Sequence, residues 1–168
     1  AKVVHSSDIV EINTYEQLRE LDSHSDQLKS DAIITISSVM KVKTDDITEI
    51  TVLKKGMTNR SFLFNVSGKK YIMRIPGEGT DRLIDREQES EVYKKISGKN
   101  ICDDIIYINP KNGYKITRFI YCARVCDPLN RKDLIVCMKK LKEFHDMKLK
   151  VSHEFDLFGQ IEFYESLW

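Results

Sequence analysis

The sequence predicts an α+β domain built on a five-stranded antiparallel sheet, with helices before, within and after it. Three observations carry that prediction. Short runs alternate apolar and polar residues at the two-residue period of a half-buried strand: Ile50 and Val52, then Phe62, Phe64 and Val66, then Tyr71, Met73 and Ile75. Turn-forming residues punctuate the sheet, Ser67-Gly68-Lys69-Lys70 after the second run and Asn109-Pro110-Lys111-Asn112-Gly113 before the last. Apolar residues recur at helical spacing on either side, Ile33, Ile36 and Met40 ahead of the sheet and Leu134, Met138 and Leu141 behind it.

Taken in order, residues 1–27 read as a segment with its own style. Val10-Glu11-Ile12 is a short strand candidate, and Thr14 caps a helix over Tyr15–Leu21 with Gln17 at the capping-box position. The main domain starts near Leu28. A helix over Lys29–Met40 packs on the coming sheet, Lys43-Thr44-Asp45-Asp46 breaks it, and Ile47 leads into the first strand. The loop Gly56-Met57-Thr58-Asn59 joins the first two strands, and Arg74 lies in the third. A helix follows Gly79, with Thr80 or Asp81 as its cap and Leu83, Ile84, Val92 and Ile96 as its apolar face. Ile101–Ile108 reads as a buried strand and Tyr114–Ile120 as the last. Asp127 then caps a helix whose stripe is Leu134, Met138, Leu141 and Phe144 or His145, and Asp156 starts a further amphipathic segment.

Composition sets the outer bounds. A chain of 168 residues, 41% hydrophobic, can bury one domain-sized core. Its net charge of +1 gives no push toward nucleic acid or an anionic membrane, and no apolar run reaches spanning length. Cys102, Cys122, Cys126 and Cys137 have neither zinc-site nor disulfide-scaffold spacing and read as reduced thiols of a cytoplasmic protein.

The chemistry concentrates between Leu53 and Tyr93. A loop of Gly, Thr and Asn brings backbone N–H, hydroxyl and amide groups to a phosphate, and its glycine admits close approach. A strand arginine stands behind it, and an acidic helix with Glu87, Glu89 and Glu91 follows. Phosphate-covering loop, strand cation and helix carboxylate form the nucleotide-lobe constellation of a kinase-like phosphotransferase.

The stretches KKGMTNRSFLF and KKYIMRIPGEGTD, the helix with Glu89, and KITRFI together resemble the choline/ethanolamine kinases over about residues 30–168. The likeness is greatest to bacterial choline kinases that feed phosphocholine to cell-surface glycans. The wider family includes the aminoglycoside phosphotransferases and has the protein-kinase-like fold. The resemblance implies a nucleotide-binding N-lobe over 28–122 and the start of a helical C-lobe over 123–168. It places Gly56, Met57, Thr58, Asn59 and Arg60 over the phosphates of ATP, bound with Mg²⁺. Arg74 would grip those phosphates, where protein kinases have Lys, and its planar fork suits two phosphate oxygens. Counting back from Tyr93-Lys94-Lys95-Ile96, the carboxylate that orients Arg74 falls on Glu89, leaving Glu87 and Glu91 as surface acids. The backbone of Phe119, Ile120 and Tyr121 would hold adenine.

The same resemblance implies ATP-dependent phosphorylation of choline or a similar amino alcohol. The catalytic base and the metal ligands would lie beyond Trp168, so no catalytic or metal-binding residue is assigned in this chain. Two look-alikes are rejected. His24-Ser25-Asp26 lies upstream of the nucleotide lobe, and Asp156-Leu157-Phe158-Gly159 carries one residue too many for a DFG. Residues 1–27 resemble the last strand and helix of a sugar-phosphate-type nucleotidyltransferase, without its nucleotide-binding loop. A piece of this kind would be inactive alone and, with apolar stripes uncovered, prone to self-association. The alternative readings are a related kinase for ethanolamine, methylthioribose or an aminoglycoside, and a non-catalytic nucleotide-binding or interaction module.

Overall fold

The computed structural model describes residues 17, 18, 21, 22, 30–53, 58–77, 79, 80, 83–154 and 156–167. The expected strand at Val10–Ile12, the Thr14 cap, and the boundary near Leu28 lie outside them. Of the first expected helix, Gln17, Leu18 and Leu21 are helical, and the Asp22 N–H donates to the Leu18 carbonyl at 2.7 Å.

Helix α1, Asp31–Met40, buries Ala32, Ile33 and Ile36, the face its spacing predicts. It stops where Lys41 turns left-handed and the Ser37 hydroxyl donates to the Val42 carbonyl at 2.6 Å. A single 3₁₀ turn, Thr44–Asp46, redirects the chain, and fully buried Ile47 delivers it to the sheet. The strands are β1 (Thr48–Val52), β2 (Asn59–Val66), β3 (Lys69–Pro76), β4 (Ile105–Ile108) and β5 (Lys115–Arg118), all antiparallel in the order β1-β2-β3-β5-β4. Between β2 and β3 the turn takes only two residues. Ser67 and Gly68 both have positive φ, which matches the twist of the flanking strands.

One face of this sheet is apolar. Ile50, Phe64, Val66, Tyr71, Met73 and Ile116 join Ala32, Ile33 and Ile36 of α1 in one core. Val52 departs from expectation: it is 68% exposed although Ile50, two residues earlier, is buried. The cause is local. The β1 register slips between Thr48 and Thr51, Glu49 takes a positive φ, and Val52 ends at the rim of a cavity of about 470 Å³ beside the start of α1.

The helices outside the core correct several expected boundaries. Helix α2 runs Arg86–Ile96, and its cap is Asp85, not Thr80 or Asp81; Asp81 is not among the described residues. The Asp85 carboxylate accepts the Glu87 and Gln88 N–H groups at 2.9 and 3.0 Å, which satisfies two orphan donors at once. Thr80 instead opens a separate turn that holds Leu83 and Ile84 outside the helix. The fourth strand is shorter than Ile101–Ile108 because residues 101–104 bend away, Asp104 accepting the Arg118 N–H at 2.9 Å. Helix α3, Arg131–Asp146, is capped by Asn130, and Asp127 closes the preceding turn. Leu134, Met138 and Leu141 form its apolar stripe and are exposed. Helix α4, Leu157–Ser166, starts at the expected cap, Asp156.

Candidate functional site

The second face of the sheet carries the polar chemistry. Residues alternate faces along a strand, so Arg74 points away from its neighbour Met73 and the core. It stands opposite Ser61 on β2 and Lys115 on β5. Helix α2 comes to meet it. Arg74 Nη1 donates to Glu89 Oε1 at 2.5 Å and Nη2 to Oε2 at 2.9 Å, a two-pronged pair, while Nη2 also donates to the Gly113 carbonyl at 2.9 Å. Glu89 is therefore the acid that meets Arg74, and Glu87 is exposed.

The face that α2 turns to the sheet is not the apolar one expected. It is Arg86, Glu89, Ser90 and Tyr93, spaced three, one and three residues apart, whereas Leu83 and Ile84 precede the helix. Arg86 is a partner that sequence reasoning missed. Its Nη1 donates to Glu89 Oε2 at 3.1 Å and its Nη2 to the Thr80 hydroxyl at 2.8 Å; Thr80 in turn donates to the Gly77 carbonyl at 2.8 Å. Tyr93 holds the Lys115 ammonium 3.9 Å above its ring centre. The polar i, i+3, i+4, i+7 spacing from Arg86 is the signal in the sequence, and apolar periodicity does not report it.

Charge decides how the group behaves. Burial raises the Glu89 pKa, but hydrogen bonds and charge from Arg74, and then Arg86, outweigh it and hold the carboxyl below its ordinary value. One carboxylate thus faces two guanidinium groups, leaving a surplus of one positive charge. Arg74 has five N–H donors. Three are used, and its Nε–H is buried with no partner among the described residues.

Gly113 lets this cluster close. It has φ +68°, and an added Cβ would lie 2.7 Å from Pro76 Cγ and 2.9 Å from Arg86 Cδ and Nε. Gly113→Ala should lower the unfolding free energy by about 1–3 kcal/mol, from backbone strain and overpacking together. Gly68→Ala, where an added Cβ meets nothing within 4 Å, should cost less. Urea denaturation of the two variants measures the difference.

Glu91 lies at the surface, as expected, but it has partners there. It accepts the Ser152 hydroxyl at 2.5 Å and the Ser152 N–H at 2.8 Å, and lies 3.3 Å from His153 Nδ1. These bonds to Ser152 lower its pKa and tie α2 to the segment after α3. The helix that carries Glu89 is therefore held from both sides.

The other expected site residues divide. Gly56 and Met57 lie outside the described residues. The Thr58 carbonyl accepts the Gly77 N–H at 2.9 Å, and its hydroxyl accepts from Asn59 Nδ2 at 3.0 Å. Asn59 alternates onto the Arg74 face. Arg60 alternates onto the other, beside Phe62 at the cavity near α1, so the structure does not bring it to Arg74. Phe119 continues the sheet by donating its N–H to the Lys70 carbonyl at 3.0 Å, and Ile120 and Tyr121 follow it exposed. Asp156, the first residue of the rejected DFG look-alike, caps α4 by accepting the Gly159 N–H at 3.0 Å. His24 and Asp26 lie outside the described residues.

A family model for choline/ethanolamine kinase matches residues 50–167, the span from β1 to the end of α4. The chain belongs to the choline/ethanolamine kinase family. Protein LicA of Haemophilus influenzae is 28% identical over 119 residues, covering 67% of this chain and 34% of that protein. The crystal structure of choline kinase LicA from Streptococcus pneumoniae superposes with a TM-score of 0.64 at 27% identity, covering 80% of this chain and 46% of that one. A structure of LicA in complex with AMP gives 0.55 at 26% identity. A Plasmodium vivax ethanolamine kinase, at 23% identity and a TM-score of 0.53, shares the fold. The chain spans 34–43% of the length of the two curated relatives it matches. Within this choline/ethanolamine kinase fold, the sheet with α2 is the kinase-like N-lobe. Among the described residues no helix is long and apolar enough to cross a membrane.

Proposed function

We propose that this chain carries the nucleotide-binding lobe of an ATP-dependent kinase that phosphorylates choline to phosphocholine. The observation that carries the reading is the Arg74–Glu89 pair, made with an Arg74 N–H to spare and one surplus positive charge. Kinase-fold phosphotransfer needs the strand cation and helix carboxylate in place together. Bound ATP and Mg²⁺ would supply the phosphoryl group and most of the neutralisation of its charge.

The residues present fit that group. Arg74 offers its second Nη1–H to phosphate oxygens, while Glu89 fixes its orientation at no cost during reaction. The Thr58 hydroxyl accepts from Asn59 and so keeps its own O–H to donate. With Gly56, Met57 and Asn59 it would cover the phosphates. The exposed backbone after Phe119, through Ile120 and Tyr121, would read the adenine edge. The choline acceptor rests on the LicA relatives. We assign residues 28–122 to the nucleotide lobe, 123–168 to the start of the helical lobe and 1–27 to an appendage resembling a nucleotidyltransferase tail, all working in the cytoplasm.

Two assays of ADP release test the reading. In the intact protein that carries this chain, choline should drive turnover in preference to ethanolamine, and a reversed preference would reassign the acceptor. The 168-residue chain alone should show no choline-dependent turnover above the enzyme-free background, because Asp156 is spent on a helix cap and no catalytic base is assigned. Turnover by the chain alone would place a catalytic group within residues 1–168.

A further inference from the structure

We propose that Cys126 and Cys137 form a reversible intramolecular disulfide, a modification site outside the nucleotide lobe. Cys137 follows Cys126 by eleven positions, and their spacing alone suggests no pair. The fold brings them together. Cys126 lies in the irregular segment between β5 and α3, and Cys137 in the second turn of α3. Their sulfurs are 3.4 Å apart, the Cys137 thiol donating to Cys126, and both residues are exposed.

The approach is held by bonds on either side of Cys126. Asp133, one turn before Cys137 on α3, accepts both Arg124 Nη1 and Nη2, at 2.5 and 2.6 Å, and the Asp127 N–H at 3.1 Å. Residues two before and one after Cys126 are thereby fastened to the helix that carries Cys137. Arg124 holds the Asp133 carboxyl down to about 2, so this clamp stays charged at neutral pH. A hollow of about 270 Å³, lined by Arg124, Cys126, Asp133, Val136 and Cys137, admits a small reagent to the sulfurs. A disulfide is about 2.05 Å long. The sulfurs must close by about 1.4 Å, which side-chain rotation at an exposed site can supply. No other pair among the described cysteines is in sulfur contact.

Proximity, not thiol acidity, drives the reaction: the hydrogen bond shared with Cys137, and then burial, raises the Cys126 pKa. The oxidant is a small-molecule disulfide such as oxidised glutathione. One protein thiol loses its proton and attacks a glutathione sulfur, releasing one glutathione thiol and leaving a mixed disulfide. The neighbouring thiol then attacks the protein sulfur of that bond and releases the second glutathione. Two protein thiols are oxidised to one disulfide while one glutathione disulfide is reduced to two thiols.

The test is a redox titration of the reduced 168-residue chain in glutathione buffers, quenched by alkylation and mapped by peptide mass spectrometry. The expected result is joint loss of two thiols at one midpoint, a chain lighter by two hydrogens, and a crosslinked Cys126–Cys137 peptide with Cys102 and Cys122 alkylated. The oxidised chain should melt at a higher temperature, since the bond closes the 126–137 loop. Cys126→Ser should instead carry glutathione on Cys137. Separate glutathione adducts on Cys126 and Cys137 of the wild-type chain, a Cys122–Cys126 crosslink, or four thiols that stay reduced across the series would each overturn the proposal. The wild-type map alone decides it, whatever the variant does to folding.

Discussion

Glu89→Gln should lower the unfolding free energy by about 3 kcal/mol, the lower end of the range for breaking a buried pair from one side. The loss is large because two guanidinium groups share this carboxylate, and the substitution leaves both with a neutral partner in a site with little water. It sits at the lower end because the Glu89 side chain keeps 19% of its exposure. Glu87→Gln, two residues after the Asp85 cap on the exposed side, should change stability by less than about 0.5 kcal/mol. The pH dependence has a definite sign. The folded-state pKa of Glu89 is depressed, so its contribution is complete above the unfolded value and is lost as pH falls through the lower folded one. The gap between wild type and Glu89→Gln should therefore be full at pH 7 and narrow below about pH 4.5. Urea titrations at pH 7 and at stepped acid pH measure both effects. A gap that widened on acidification would mean that Glu89 is held protonated.

Arg74→Ala should weaken ATP binding by about 1.5–3 kcal/mol, the worth of hydrogen bonds to charged groups, or roughly 10- to 150-fold in Kd. The fold should survive, because Glu89 keeps Arg86 as a partner. Arg74→Lys should fall between: it restores the charge and loses the fork that meets Glu89 at two points. Calorimetric titration of ATP with Mg²⁺ into the folded variants reads the difference. An unchanged affinity in Arg74→Ala would remove Arg74 from the site.

The sheet was legible because its signals are local. Phe62, Phe64 and Val66 against Tyr71, Met73 and Ile75 state the period-two pattern in adjacent strands, and Ser67-Gly68 joins them by the shortest turn. Ile33, Ile36 and Met40 stated the inner face of α1 equally well. The pairing of Arg74 with Glu89 was legible too, by register within a resemblance. What escaped was set by long-range contact. Arg86, Thr80 and Gly113 come together only when the β4–β5 turn reaches the start of α2, and no spacing in the sequence announces that meeting. Polar faces of helices evade a search for apolar periodicity, which is why α2 was given Leu83 and Ile84. Caps were misplaced at Thr80 and Asp127 because each heads a turn of its own, and the chain offers a second good cap, Asp85 or Asn130, a few residues on. Val52 failed for a different reason. A slipped register on an edge strand breaks alternation without leaving a mark on composition.

Amide and arginine side-chain chemical shifts, followed during a titration with ATP and Mg²⁺, tell which face of the sheet binds ATP. With ATP on the Arg74 face, the largest changes fall on Thr58, Asn59, the Arg74 side chain and Phe119–Tyr121. Changes confined to Ile50, Val52, Arg60, Phe62 and Ile75, which border the cavity on the opposite face, would contradict binding on the Arg74 face.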